Sequence, residues 1–155
     1  MSEANERAAD AGAASTWGTN WSEAEAAARA AFEAQPFSAL VGAELVSFEP
    51  GTAEVRVPFR PELLQQFGFL HGGVIAYAID NAVTFAAGTR LGLNLLTSGI
   101  TVSYIRPVTG DLRAVATVVG TTRRQAVVRC EVYSEGRSGS VLAASGQGTA
   151  VVTAS

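Results

Sequence analysis

Lysine is absent from this chain of 155 residues, and cysteine, histidine and methionine occur once each. A single cysteine, Cys130, excludes an intrachain disulfide and a cysteine metal cluster. A single histidine, His71, excludes a His-rich zinc site, so no metal is expected. All basic side chains are arginine, the residue suited to bidentate contacts with phosphate, although genome composition alone also yields a lysine-free chain. Charge is sparse at 16% and the net charge is −3, which argues against nucleic acid as the main partner because binding phosphates needs a basic face. No apolar run reaches the roughly 20 residues of a membrane span. The start, Ser2–Glu3–Ala4–Asn5–Glu6, is acidic and lacks the apolar stretch of a signal peptide, so a reducing cytoplasm is the expected location.

What is present suits one folded domain: hydrophobic residues make up 48% of the chain. Residues 1–20 are rich in Ala, Ser, Gly and acids and read as a disordered tail, with Trp17 and Trp21 as anchors to the body. The domain is expected over residues 21–155. It opens with a helix over 21–35, capped by Ser22 with Glu25 in a capping-box spacing and stopped by Pro36. Strand patterns follow at Ala43–Phe48 and Thr52–Val57, the second alternating Ala53, Val55, Val57 against Glu54 and Arg56. Pro61–Gln66 reads as a loop or single helical turn. A long apolar helix is predicted over Val74–Leu91, then strands at about Thr97–Arg106, Asp111–Gly120, Gln125–Ser134 and Ser140–Val152. Cys130 falls in an alternating strand and reads as a small core residue. The last four strands are joined by segments too short for crossover helices, so they are expected to be antiparallel. A helix apolar nearly all round must be covered on most sides. These elements predict an α+β hotdog fold: an antiparallel sheet of five to six strands wrapped around one long central helix.

Chemistry concentrates at Gln65–Gly73 and the helix that follows. Gly72 and Gly73 come directly after His71, where the chain turns into the helix. Two glycines there either permit close packing or expose the unpaired first amides of a helix, whose positive end suits a polarised carbonyl oxygen. Asp80 is the only acid in the helix, and burying an unpaired carboxylate is costly enough to make it a candidate for chemistry. It lies nine residues past His71, roughly 180° round and about 13 Å along the helix. One chain therefore cannot bring Asp80 and the Gly72 amide to the same small group. If both act in one reaction they come from different subunits, as a two-fold dimer with adjacent central helices would allow. Thr84, one turn beyond Asp80, either holds the carboxylate or a water, or bonds back to the carbonyl four residues earlier.

Gln65, Gly68, His71–Gly72–Gly73 and Asp80, with Thr97–Pro107 and Gly146–Gln147–Gly148–Thr149, resemble the hotdog-fold acyl-CoA thioesterases. The likeness spans about residues 36–153 and is strongest to the phenylacetate-degradation type and to 4-hydroxybenzoyl-CoA thioesterases of the soil-bacterial kind. The resemblance implies Asp80 as nucleophile or general base, the Gly72 amide and the Gln65 side chain on the thioester carbonyl, and His71 shaping the loop. Gln65 and Thr84 match the 4-hydroxybenzoyl type, whereas Asp80 matches the other, so the chain mixes two patterns. A hydroxyl residue ahead of the next strand, Thr97 or Ser98, is implied to place the water. The acyl pocket is expected beside Gly73, Tyr77, Asn81, Phe67 and Phe69, and Arg106, Arg123 and Arg124 are candidates for the coenzyme A phosphates. No cofactor is implied beyond the coenzyme A of the substrate. The expected assembly is a homodimer or homotetramer with shared active sites, without nucleic acid or membrane as partner. The competing readings are a hotdog hydratase or dehydratase, whose usual His-containing signatures differ from Gly-x-x-His-Gly-Gly, and a non-catalytic acyl-CoA-binding module, which would not need Asp80. The acyl group itself, whether aryl, arylacetyl or medium-chain, is not readable from the sequence.

Overall fold

The computed structural model describes residues 16–153, so residues 1–15 of the tail expected over 1–20 lie outside the described residues. Residues 16–20 form a turn against the body. The Trp17 indole N–H donates to the Gly88 carbonyl at 2.8 Å and the ring meets Phe48 edge-on. Trp21 packs on the same Phe48.

The first helix, α1 (Trp21–Glu33), places Ala24, Ala28 and Phe32 on one buried stripe. Its cap differs from the expectation. Asn20 caps it: its side-chain oxygen accepts from the Glu23 amide, and its Nδ2 donates to the Glu23 carboxylate at 2.7 Å. Ser22 is already inside the first turn and cannot serve, and Glu25 pairs with Arg29 one turn on. The helix stops before Pro36 as expected, with Gln35 extended ahead of the proline, and Pro36 then has a second role. It is the first residue of a short second helix, α2 (Pro36–Val41), closed by Gly42 in the left-handed conformation at φ 77°. Proline suits a first helical position because the amide it lacks has no partner there.

Six strands follow: β1 (Glu44–Glu49), β2 (Thr52–Val57), β3 (Leu95–Tyr104), β4 (Asp111–Thr121), β5 (Gln125–Gly136) and β6 (Gly139–Val152). The central helix α3 (Gly72–Leu91) lies between β2 and β3, and Pro61–Leu63 forms a single 3-10 turn. The strands make one antiparallel sheet in the order β1-β2-β4-β5-β6-β3. The predicted strand centres coincide with these elements. The order adds what local patterning could not supply: β3 pairs with the last strand, β6, and not with its sequence neighbour β4. This is the hotdog arrangement, with the sheet curled about α3. Ala53, Val55 and Val57 turn inward as their alternation requires.

Two glycines in β6 decide how closely α3 lies on the sheet. A β-carbon at Gly148 would sit 2.8 Å from Val83 Cγ1, and one at Gly146 would sit 2.8 Å from the Thr101 carbonyl and 3.1 Å from Ile79. Gly148→Ala is therefore expected to overpack the helix–sheet contact and lower stability by about 1–3 kcal/mol, read as a shift in the urea unfolding midpoint. Cys130 is buried in β5, and burial pushes its thiol up to about 12, so it is chemically inert in the fold. Among the described residues no helix is long and apolar enough to cross a membrane.

Candidate active site at the two faces of the central helix

The sheet does not cover α3 completely. Ile75, Ala78, Ile79, Ala82 and Val83 are buried, whereas Gly73, Ala76, Tyr77, Asp80, Asn81 and Thr84 form a stripe left partly open. Residues spaced three and four apart share one side of a helix, so this stripe is a continuous surface and Asp80 lies at its middle. Asp80 is half-buried, not enclosed as the apolar helix led us to expect. The reason is the stripe itself: small and polar residues flank the acid on its own face.

Thr97 holds the carboxylate. Its hydroxyl donates to Asp80 Oδ1, and the Thr84 hydroxyl contacts Thr97 Oγ1 at 2.8 Å and the Asp80 carbonyl at 3.0 Å. Of the two readings of Thr84, the bond back to the carbonyl four residues earlier is the one present; the hydroxyl does not reach the carboxylate itself and instead contacts Thr97, which does. Asp80 Oδ2 takes no hydrogen bond, and no Arg or His pairs with the carboxylate, among the described residues. The acid is therefore oriented through one oxygen and chemically available through the other. Ser98 sits at a bulge in the β3–β6 pairing, where the register shifts between Thr97 and Gly99, and donates to the Thr149 carbonyl at 3.2 Å. The bulge sends the two neighbouring hydroxyls to different partners, and only Thr97 reaches the acid.

At the start of α3, His71 is the N-cap. Its Nδ1 accepts from the Gly73 amide at 2.9 Å, which places the proton of the neutral ring on Nε2. Of the two donors expected from the glycine pair, Gly73 is consumed by this cap. The Gly72 amide donates to nothing among the described residues and remains the available one. Gly72 itself is braced by Tyr104, whose hydroxyl donates to the Gly72 carbonyl at 2.9 Å and whose ring lies 3.4 Å from where a β-carbon would stand. Gln65 turns its side-chain oxygen onto the Phe67 amide, and its backbone carbonyl accepts from Gly68, which adopts φ 81°. That leaves the Gln65 side-chain NH2 free to donate.

These groups lie in two separate depressions. One, of about 300 Å³, is lined by Gln65, Phe69, Gly72, Tyr104 and Arg106 among others. The other, of about 500 Å³, is lined by Gln35, Phe37, Gly73, Tyr77, Asp80 and Asn81 together with Ala76 and Ile100. No residue lines both. The single chain thus keeps Asp80 and the Gly72 amide apart, as helical geometry requires. Phe67, at the loop tip and 73% exposed, lines neither, and neither do Arg123 and Arg124, exposed on the β4–β5 hairpin. Burial raises the Tyr77 phenol, a shift opposed by its hydrogen bond to Ser38, so the ring stays neutral. Among the described residues no cluster of His, Cys, Asp and Glu could hold a metal ion.

Tyr104, Ser38, Phe37 and Gln35 are among the residues near the site to which the sequence alone assigned no role. Pro36 at a first helical position with Gly42 six residues on is the signal that reveals α2, and with it Phe37 and Ser38.

The chain matches the model of the thioesterase superfamily over residues 67–141, which contain His71, Gly72, Asp80, Thr84 and Thr97 but not Gln65. A Halobacterium salinarum protein named "Putative esterase" is 34% identical over 86 residues, and the match covers 51% of this chain and only 57% of that relative. Among solved structures, a thioesterase family protein from Silicibacter pomeroyi superposes with a TM-score of 0.76 at 28% identity, over 80% of this chain and 93% of that one. A mutant of the phenylacetic acid degradation protein PaaI from Thermus thermophilus superposes with a TM-score of 0.68 at 30% identity, over 77% of this chain and all of that one (100%). With a curled sheet around a helix that begins at a free glycine amide and carries one hydroxyl-held acid, this chain belongs to the thioesterase superfamily.

Proposed function

We propose that the protein hydrolyses acyl-CoA thioesters to the free acid and coenzyme A in a site shared between two subunits. The observation that carries this reading is the division of labour along α3: one unpaired amide at Gly72, and one carboxylate at Asp80 with a free oxygen, on different faces. The thioester carbonyl oxygen accepts from the Gly72 N–H and the Gln65 amide of one subunit. These donors stabilise the negative charge that builds on that oxygen as the carbonyl carbon becomes tetrahedral. Asp80 of the other subunit acts in one of two ways. It takes a proton from water, whose oxygen then bonds to the acyl carbon, or its own oxygen bonds there to form an anhydride that water opens. In either case the carbon–sulfur bond breaks and sulfur leaves as a thiolate, which needs little acid assistance. Thr97 orients the acid, and Thr84 supports Thr97. Arg106, beside the Gly72 depression, is placed for the anionic end of coenzyme A, with Arg123 and Arg124 as more distant contributors. The protein acts as a homodimer or homotetramer in the cytoplasm, without a further cofactor.

The test is release of free thiol from a panel of aryl-, arylacetyl- and straight-chain acyl-CoAs, run beside an enoyl-CoA. Thiol release from saturated esters is the expected result. Hydration of the enoyl double bond with no thiol released from any ester would make the protein a hydratase and end this reading.

A further inference from the structure

The Asp80 depression has a wall that does not come from the segment matched by the thioesterase model. That wall is α2, at residues 36–41, well ahead of residue 67. It is firmly held. Ser38 is 1% exposed, its hydroxyl donates to Gln35 Oε1 at 2.8 Å and contacts the Tyr77 hydroxyl at 2.5 Å. The last carbonyls of α2, at Leu40 and Val41, accept from the Arg60 guanidinium at 2.8 and 2.7 Å. From this fixed turn Phe37 reaches over α3 and packs against Tyr77, ring centres 5.2 Å apart and planes at 64°. Phe37 is nevertheless 56% exposed, an aromatic ring presented to the open stripe that contains Asp80.

The chemistry of the lining says which part of a thioester belongs here. Phe37, Tyr77, Ala76 and Ile100 give an apolar flank beside the polar Gln35, Asp80 and Asn81, and no basic residue lines the depression. Phosphates have no counter-charge in it, whereas the other depression contains Arg106. The acyl group fits beside Asp80, and the coenzyme A end fits elsewhere.

Resting on the thioesterase reading, we propose that Phe37 is the end wall of the acyl slot and sets the longest acyl group that reaches Asp80 productively. The ring stands on a turn held by Ser38 and Arg60 and abuts Tyr77, whose hydroxyl contacts Ser38, so its backbone and one neighbour are fixed in place. Each methylene added to the acyl group gains burial until it meets this wall and is then excluded.

The experiment measures kcat/KM against straight-chain acyl length for the wild type, Phe37→Ala and Phe37→Trp. In parallel it measures calorimetric affinity for S-alkyl-CoA thioethers of the same lengths, which cannot be hydrolysed. Phe37→Ala is expected to move the length cut-off to longer chains, with each newly admitted methylene adding about fourfold in kcat/KM. Phe37→Trp is expected to move it to shorter chains. A purely structural role would not shift the cut-off in opposite directions for the two variants. Unmoved cut-offs with thiol release intact would overturn the wall and leave the thioesterase reading standing. Shifted thioether cut-offs without any thiol release would uphold the wall and end the thioesterase reading. Failure of every thioether to bind, or a changed oligomeric state in Phe37→Ala on size-exclusion chromatography, would also overturn it.

Discussion

Asp80→Asn is expected to lower kcat by about 10²–10⁴-fold, the range lost with a general base, while the affinity for a non-hydrolysable acyl-CoA thioether stays near that of the wild type. The substitution is mild in every other respect. An asparagine oxygen accepts the Thr97 hydroxyl as the carboxylate does, so the contact that fixes the side chain survives. No cation loses a partner, because none pairs with Asp80 among the described residues. The site is half-open to solvent, so little packing changes. What disappears is the negative oxygen that faces the substrate. The measurement is steady-state thiol release beside calorimetric binding of the thioether. Hydrolysis at the wild-type rate would remove the acid from the mechanism.

Gly72→Pro should cost about 10²–10³-fold in kcat, the usual loss on removing one oxyanion donor, with the fold intact. Proline deletes the amide hydrogen and nothing else of consequence at this position. Gly72 is the first residue of α3, where a missing N–H breaks no helical hydrogen bond. His71 already sits at φ −61° and ψ 137°, the extended conformation that a following proline demands. A β-carbon there meets Tyr104 at 3.4 Å, a tolerable contact. Circular dichroism and the unfolding midpoint should stay near wild type while turnover falls. Because the two half-sites are assigned to different chains, the two defective variants should also rescue one another. Mixed and reassembled in equal amounts, Asp80→Asn and Gly72→Pro form hybrid dimers with one intact site each, restoring about a quarter of wild-type activity by the symmetry of a two-fold pair. A site built within one chain would give no rescue.

The legible parts of this molecule were those written in local periodicity. Thr52–Val57 alternates so cleanly that the strand and its buried face follow directly, and the apolar run before Leu91 declares a helix whatever surrounds it. The spacing between His71 and Asp80 was enough to separate the half-sites, because helical geometry is fixed. Three things were not local. The β3–β6 pairing depends on competition among strands of similar composition. The fate of the Gly73 amide depends on a side chain two residues back choosing the N-cap role. Asp80 looked enclosed because its helix is apolar, yet enclosure is decided by where the sheet stops, and the sheet leaves that stripe open. At the amino end, Asn20 is the cap because the helix begins at Trp21, one residue before the Ser22 that the capping-box spacing with Glu25 singled out.

The position of β3 at the far edge has a consequence for the order in which the molecule is made. Its strand partner is β6, residues 139–152, the last of the described strands in chain order. Thr97 lies in β3, so the residue that holds Asp80 stands on a strand without a neighbour until synthesis has passed its last hairpin. The nascent chain can pair β1, β2, β4 and β5 around the central helix and still lack a fixed acid. On the proposed mechanism, a chain cut before residue 139 would keep most of the sheet yet leave β3, and with it the hydroxyl that holds Asp80, without its strand partner.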